Sequence, residues 1–176
     1  MLKLAPLLIP LCLVLTACEK ASHEGSPQGQ AAAGSSQSPE QPAYHPSMGD
    51  LMTMAVQPRH TKLGMAGQAK NWVYAGYEAK ELENAFARVG RTIPTYRKND
   101  IAKMFDGNVK GPLTDLETAI TNQDSKAFDD AYGKLTAACN TCHQGLEHAE
   151  VVIMKPSGAA FPDQDFRPKP KDPSAG

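Results

Sequence analysis

The chain has 176 residues, with 18 Lys and Arg against 19 Asp and Glu and a formal charge of −1. That length holds one modest domain plus tails, and that balance excludes the basic face that nucleic-acid binding needs. Hydrophobic residues make up 41% but aromatic residues only 6%, so few rings are on hand to fill a core.

The first element is a leader. Met1 and Lys3 precede "LAPLLIPLCLVL" (4–15), an apolar run broken by Pro6 and Pro10. It is too short for a membrane span of roughly 20 residues, but it suits the apolar centre of a signal peptide. The run ends in Leu15-Thr16-Ala17-Cys18, which resembles a bacterial lipobox, with small residues ahead of a cysteine that is lipidated and becomes the new N-terminus. A signal peptide over 1–17 and a lipid anchor at Cys18 are expected. Removing Lys3 takes the 18 basic residues to 17 against 19 acidic ones, about −2. Attachment then falls to the acyl chains, each buried methylene contributing roughly 0.8 kcal/mol, with no polybasic patch. Glu19 stands where an aspartate would signal inner-membrane retention in enteric bacteria, which favours the outer membrane on its periplasmic side. The stretch "KASHEGSPQGQAAAGSSQSPEQPAYHP" (20–46) is Gly, Ser, Ala, Gln and Pro; it cannot bury enough surface to order itself. Residues 18–46 are expected to be a flexible linker, with His23 and His45 solvated.

Helical periodicity begins at Met48. In "MGDLMTMAVQPRHTKLG" (48–64), Leu51, Met52, Ala55, Val56 and Leu63 form one broad stripe, and Pro58 should kink or divide the helix. In "AKNWVYAGYEAKELENAFARVG" (69–90), Trp72, Ala75, Ala79, Leu82, Phe86 and Val89 step by three and four, with Gly90 as the expected stop. Residues 91–111 carry a proline and two glycines and predict a long connection with at most a helical turn. "PLTDLETAITN" (112–122) opens on Pro112, suited to a first helical position, and buries Leu113, Leu116 and Ile120. The last helix, 124–149, has Asp124 as N-cap and a stripe of Phe128, Ala131, Leu135, Ala138, Cys142 and Leu146. The prediction is an all-α domain over 47–150, a four-helix bundle. "VVIM" (151–154) alone looks strand-like, and 151–176 reads as an extended Pro-rich tail that Phe161 and Phe166 could pin.

Four cysteines are present. Cys12 leaves with the leader and Cys18 takes the lipid, so Cys139 and Cys142 remain, in "AACNTCHQG" (137–145). A disulfide across two helical residues contributes little, because stabilisation grows with loop length. A thioredoxin-like pair needs a strand-to-helix junction that the sequence lacks. Structural zinc needs four ligands, and His60 and His148 form no second closely spaced pair. C-x-x-C-H is, however, the attachment signature of c-type haem. Cys139 and Cys142 would carry the thioether bonds, and His143 would be the proximal ligand; all three project from one helical face. Such a group would also supply the large flat apolar body that a ring-poor core needs.

A haem motif near the end of the fourth helix, preceded by "FDDAYGKLTAACNTCH", resembles the class II cytochromes c, the cytochrome c-prime family. The similarity is concentrated in 124–145 and is architectural over 48–122. The stretch "RHTKLGMAGQAKNWVYAGYEAKEL" (59–82) also resembles a group of small exported haem proteins without an assigned function. The first resemblance implies one covalent haem c in a four-helix bundle, a sixth iron position facing the first helix that is either empty or filled by methionine, and a possible homodimer.

The first helix offers Met52, Met54, His60 and Met65. His60 shares the apolar stripe, four residues after Val56 and three before Leu63, and neutral imidazole is a common iron ligand; it leads, with the methionines and an open position as the other choices. His148 reads as a partner for the helix C-terminal dipole, and Trp72 and Tyr77 as core or haem-contacting residues. The expected function is a lipid-anchored periplasmic electron carrier that cycles between Fe(II) and Fe(III), not an enzyme, with redox proteins of the periplasm or membrane as partners. The alternative is binding or sensing of nitric oxide or carbon monoxide at an open sixth position. No acid–base constellation for a peroxidase is visible.

Overall fold

The computed structural model describes residues 44–158 and 160–169. The expected signal peptide, Cys12, Cys18, His23, most of the 18–46 linker and the end of the tail lie outside the described residues. Those described are mostly helical, and no helix among them is long and apolar enough to cross a membrane.

Helix α1 (Met48–Leu51), a π-helical turn (Met52–Val56) and α2 (Gln57–Gln68) follow one another without a break. Ser47 opens them with a capping box: its hydroxyl accepts from the Asp50 N–H at 3.1 Å and the Asp50 carboxylate accepts from the Ser47 N–H at 2.9 Å. Pro58 acts as expected, but the form of the interruption is specific. Proline cannot donate to the carbonyl four residues back, and its ring crowds it. The turn ahead of it widens, with the Gln57 N–H reaching the Met52 carbonyl. That extra residue sets the register, so Leu51 and Val56, five apart, are both buried, in line with His60 and Leu63.

Helix α3 (Trp72–Thr92) is capped by Asn71, which accepts from the Tyr74 N–H at 3.2 Å. Its buried face carries Ala75, Ala79, Leu82, Phe86 and Val89, as the periodicity predicts. Gly90 is not the stop: the helix runs to Thr92 and ends ahead of Pro94, which biases the residue before it away from helix. The expected long connection is also shorter and more structured than the sequence suggests. A minimal hairpin pairs β1 (Thr95–Tyr96) with β2 (Asn99–Asp100) antiparallel. Its turn residues, Arg97 and Lys98, have φ of 46° and 65°, the left-handed pair that a two-residue primed turn requires. Asp100 then caps α4 (Ile101–Asn108) by accepting from the Lys103 N–H at 3.0 Å.

After a one-residue break at Val109 comes α5 (Lys110–Thr121). Pro112 is its third residue and not its first, still within the opening turn whose N–H groups have no helical partner. Asp124 caps α6 (Ser125–Gly145), accepting from the Lys126 and Ala127 N–H groups at 2.9 and 3.0 Å. The helix ends at Gly145, short of the expected 149, where Glu147 adopts φ 58° in the manner of a left-handed C-cap. "VVIM" forms no strand; it runs beside α6 and bonds to its side chains.

Helix α2 packs on α3 and α5 on α6, and the pairs meet through α3 with α5 and α2 with α6. Leu63, Leu82, Leu116 and Leu135, one from each helix, are fully buried between them. The tail returns over this core: Phe166 is buried, Asn71 Nδ2 donates to its carbonyl at 3.1 Å, and Lys62 lies 4.7 Å from the Phe161 ring centroid. Close approach of α2 to α6 depends on missing side chains. A Cβ on Gly67 would stand 2.0 Å from the Phe128 ring, a separation that only a shift of the ring or of the helices relieves. Gly67→Ala is expected to cost about 1–3 kcal/mol, read as a lower urea midpoint at unchanged slope.

Candidate functional site

The C-terminal end of α6 forms one wall of a cavity of about 320 Å³. Cys139, Cys142 and His143 line it together, opposite Met52, Val56 and His60 from the first helical segment; Phe86, Phe105, Val109 and Leu146 supply much of the apolar surface. The volume lies in the range of small-molecule and cofactor pockets. The walls are apolar and the polar groups few and convergent.

Cys139 and Cys142 are free thiols, Cys142 buried and Cys139 partly so. Burial pushes the Cys139 thiol up to about 12, with Cys142 beside it adding to the rise, and burial raises Cys142 as well. Neither is held as the thiolate with which a redox dithiol attacks. His143 Nδ1 lies 2.7 Å from the Val151 carbonyl oxygen. A carbonyl only accepts, so Nδ1 carries the proton and Nε2 holds the free lone pair. The donor set and the apolar walls thus fit a c-type haem: two thiols three residues apart and an imidazole with an available Nε2 line the same cavity.

His60 also lines the cavity, 2% exposed, and both of its ring nitrogens face hydroxyls of α6. Thr136 Oγ1 lies 3.1 Å from His60 Nε2 and donates its own proton to the Tyr132 carbonyl at 2.8 Å. Nδ1 lies 3.1 Å from Tyr132 Oη, which donates its proton to the His60 carbonyl at 2.8 Å, so the single proton of the neutral ring serves one of the two hydroxyls. The two rings stack with centroids 4.7 Å apart. Of the other first-helix candidates, Met52 lines the cavity, whereas Met54 is 72% exposed and neither it nor Met65 contributes to the lining.

Burial holds the His60 imidazole down to about 4. Its folded value lies below the unfolded value of roughly 6.5, so unfolding takes up a proton between the two. Stability from this group is therefore complete above about pH 6.5 and falls as the pH drops towards 4. For the haem-free protein the expected loss at pH 4 relative to pH 7 is on the order of 3 kcal/mol, measured by urea unfolding at the two pH values; His60→Gln should flatten the dependence.

Several residues stand elsewhere than the sequence suggests. His148 is past the end of α6 and turns back to line the cavity, with Nε2 3.0 Å from Tyr96 Oη and Nδ1 3.2 Å from Glu150 Oε1. Tyr77 is exposed beside Arg59, whereas Trp72 packs on the core edge-on against Phe128, one of the two places expected for it, and does not line the cavity. Tyr132 and Thr136 escaped notice, although they precede Cys139 by seven and three residues on the stripe that carries the motif; that spacing was the available signal. Tyr96 gave no signal, because the hairpin that presents it lacks the usual turn residues.

No family model matches this chain, and neither the curated proteins nor the solved structures contain a significant match to it.

Proposed function

We propose that this protein is a lipid-anchored periplasmic cytochrome of the c type, a four-helix bundle of the class II kind that carries electrons. One observation carries the proposal: two free thiols and the Nε2 side of a fixed imidazole face a single apolar cavity at the end of α6. Cys139 and Cys142 would hold a haem c through thioether bonds, and His143 would supply the proximal nitrogen. When bound, the group supplies a one-electron Fe(III)/Fe(II) couple.

The chain's own residues do the rest. The Val151 carbonyl fixes the tautomer and ring plane of His143 and makes its Nε2 more basic. Phe86, Phe105, Val109 and Leu146 give the cavity its apolar walls. Val151, 45% exposed, brings one side of the cavity to the surface, where a redox partner can approach. Helices α2, α3, α5 and α6 would form the bundle, and the acyl chains on Cys18, behind the 18–46 linker, would raise the local concentration near membrane-bound partners. The measurement is the reduced spectrum of the haem-loaded protein during redox titration. Reversible one-electron cycling supports the carrier; a group that cannot be re-reduced after oxidation rules it out.

A second function is favoured by the state of His60. To reach iron, Nε2 would have to give up its contact with Thr136, while Met52 has no polar group to hold it in place. A sixth position left open, or weakly held by Met52, would admit nitric oxide or carbon monoxide. Carbon monoxide added to the reduced protein separates the two cases. A shifted spectrum supports gas binding, and an unmoved low-spin spectrum excludes it.

A further inference from the structure

We infer that Asn140, the first of the two residues between the motif cysteines, is a positioning residue for His143, acting through the segment 151–153. This rests on the haem proposal for the iron but concerns the chain's own hydrogen bonds. Asn140 Nδ2 donates to the Ile153 carbonyl at 2.9 Å, and the Ile153 N–H donates to Asn140 Oδ1 at 2.7 Å. A side-chain amide paired this way with one residue's backbone imitates one rung of a sheet, and it fixes both the position and the rotation of that residue. Two residues earlier, the Val151 carbonyl accepts from His143 Nδ1 at 2.7 Å.

Asn140 and His143 lie three apart on α6, so one helical face grips the returning chain at two points. The Val151 N–H in turn donates to the His148 carbonyl at 3.0 Å, which closes the turn between helix and segment. Residues 151–153 have no strand partner and no helix to hold them. Without the amide clasp, the carbonyl that orients His143 would be held only by the Val151 N–H bond before it and by the Lys155–Asp129 and Gln68–Pro156 bonds after it. Thr141, the other residue between the cysteines, spends its hydroxyl on the Ala137 carbonyl of its own helix. The two positions inside the motif are therefore not equivalent.

The direction of the effect follows from the hydrogen bond. A carbonyl accepting from Nδ1 raises the basicity of Nε2, which favours the ferric state and lowers the reduction potential. Loss of the clasp should raise the potential and expose the Nδ1 proton to exchange. The test uses the haem-loaded full chain as wild type, Asn140→Ala, Ile153→Pro (which deletes the N–H that Asn140 accepts) and Thr141→Ala. In the wild type, the Ile153 amide and the His143 Nδ1 proton should both be protected from exchange and observable by nitrogen-resolved NMR. In Asn140→Ala, or in Ile153→Pro should the first fail to fold, the Nδ1 proton should exchange roughly tenfold faster and the potential should rise, while Thr141→Ala changes neither. A wild type whose Ile153 amide exchanges freely while Nδ1 stays protected overturns the proposal without any variant. Unchanged potential and Nδ1 exchange in a folded clasp variant also overturn it. Absence of covalent haem from the wild type is a separate result, and counts against the haem proposal instead.

Discussion

A chain carrying Cys139→Ala together with Cys142→Ala is expected to emerge from haem-attaching cells with no covalently bound haem. On the haem proposal each thiol would account for one thioether, so the single variants should retain haem through one bond and the double variant through none. The physical consequence extends to stability. On the proposed assignment, haem would fill the cavity of about 320 Å³. At roughly 24 cal/mol per Å³, a dry unfilled cavity of that size costs up to about 8 kcal/mol, and water entering at the surface reduces this. The double variant should therefore melt at least about 10 °C below the haem-loaded protein, by circular dichroism at 222 nm. Equal melting temperatures would mean that the cavity is not filled by the group attached at these cysteines.

The second large effect lies away from the cavity. Glu78 is fully buried on α3, and Arg59 Nη1 reaches its two carboxylate oxygens at 3.3 and 3.1 Å. Tyr74 donates to the same carboxylate and receives a 2.7 Å bond from Gln164 of the tail. Arg59→Ala leaves a buried carboxylate without its cation, and the expected loss is about 3 kcal/mol. That is the low end for a broken buried pair, because the Arg59 side chain is 31% exposed. Replacing both partners, as Arg59→Met with Glu78→Leu, should recover most of that loss, since an apolar pair needs no compensating charge. Urea unfolding of the two variants beside the wild type checks both statements. A functional consequence also follows from position: Arg59 precedes His60 and ties α2 to α3, so the same substitution should loosen the wall that carries Met52 and His60.

Much of the helical framework was legible in the sequence because it rests on local signals. Asp124 caps α6, and the stripes from Ala75 to Val89 and from Phe128 to Leu146 bury the residues their spacing selects, apart from a half-buried Ala138. The errors fall where tertiary context overrides those signals. Gly90 lies inside α3, because a single glycine weakens a helix by only about 1 kcal/mol and packing on either side exceeds that. The hairpin at 95–100 could not be anticipated, since Arg97 and Lys98 occupy left-handed positions normally given to Asn and Gly. Its salt bridge from Arg97 to Glu147 and the Tyr96–His148 contact lie outside the local sequence. At the site, the spacing of Cys139, Cys142 and His143 announced their shared face. The segment that orients His143, and the Tyr132–Thr136 grip on His60, depend on which residues meet across the fold, and no local pattern encodes that.

The most direct measurement is the intact mass of the wild-type chain, purified from cells that attach haem c, with its absorption spectrum taken after full denaturation. A covalent c-type cytochrome should retain one haem per chain through denaturation, with Cys139 and Cys142 both closed to thiol alkylation. A haem-free mass with both cysteines alkylated, from cells that load a control cytochrome c, would contradict the assignment of this cavity to haem.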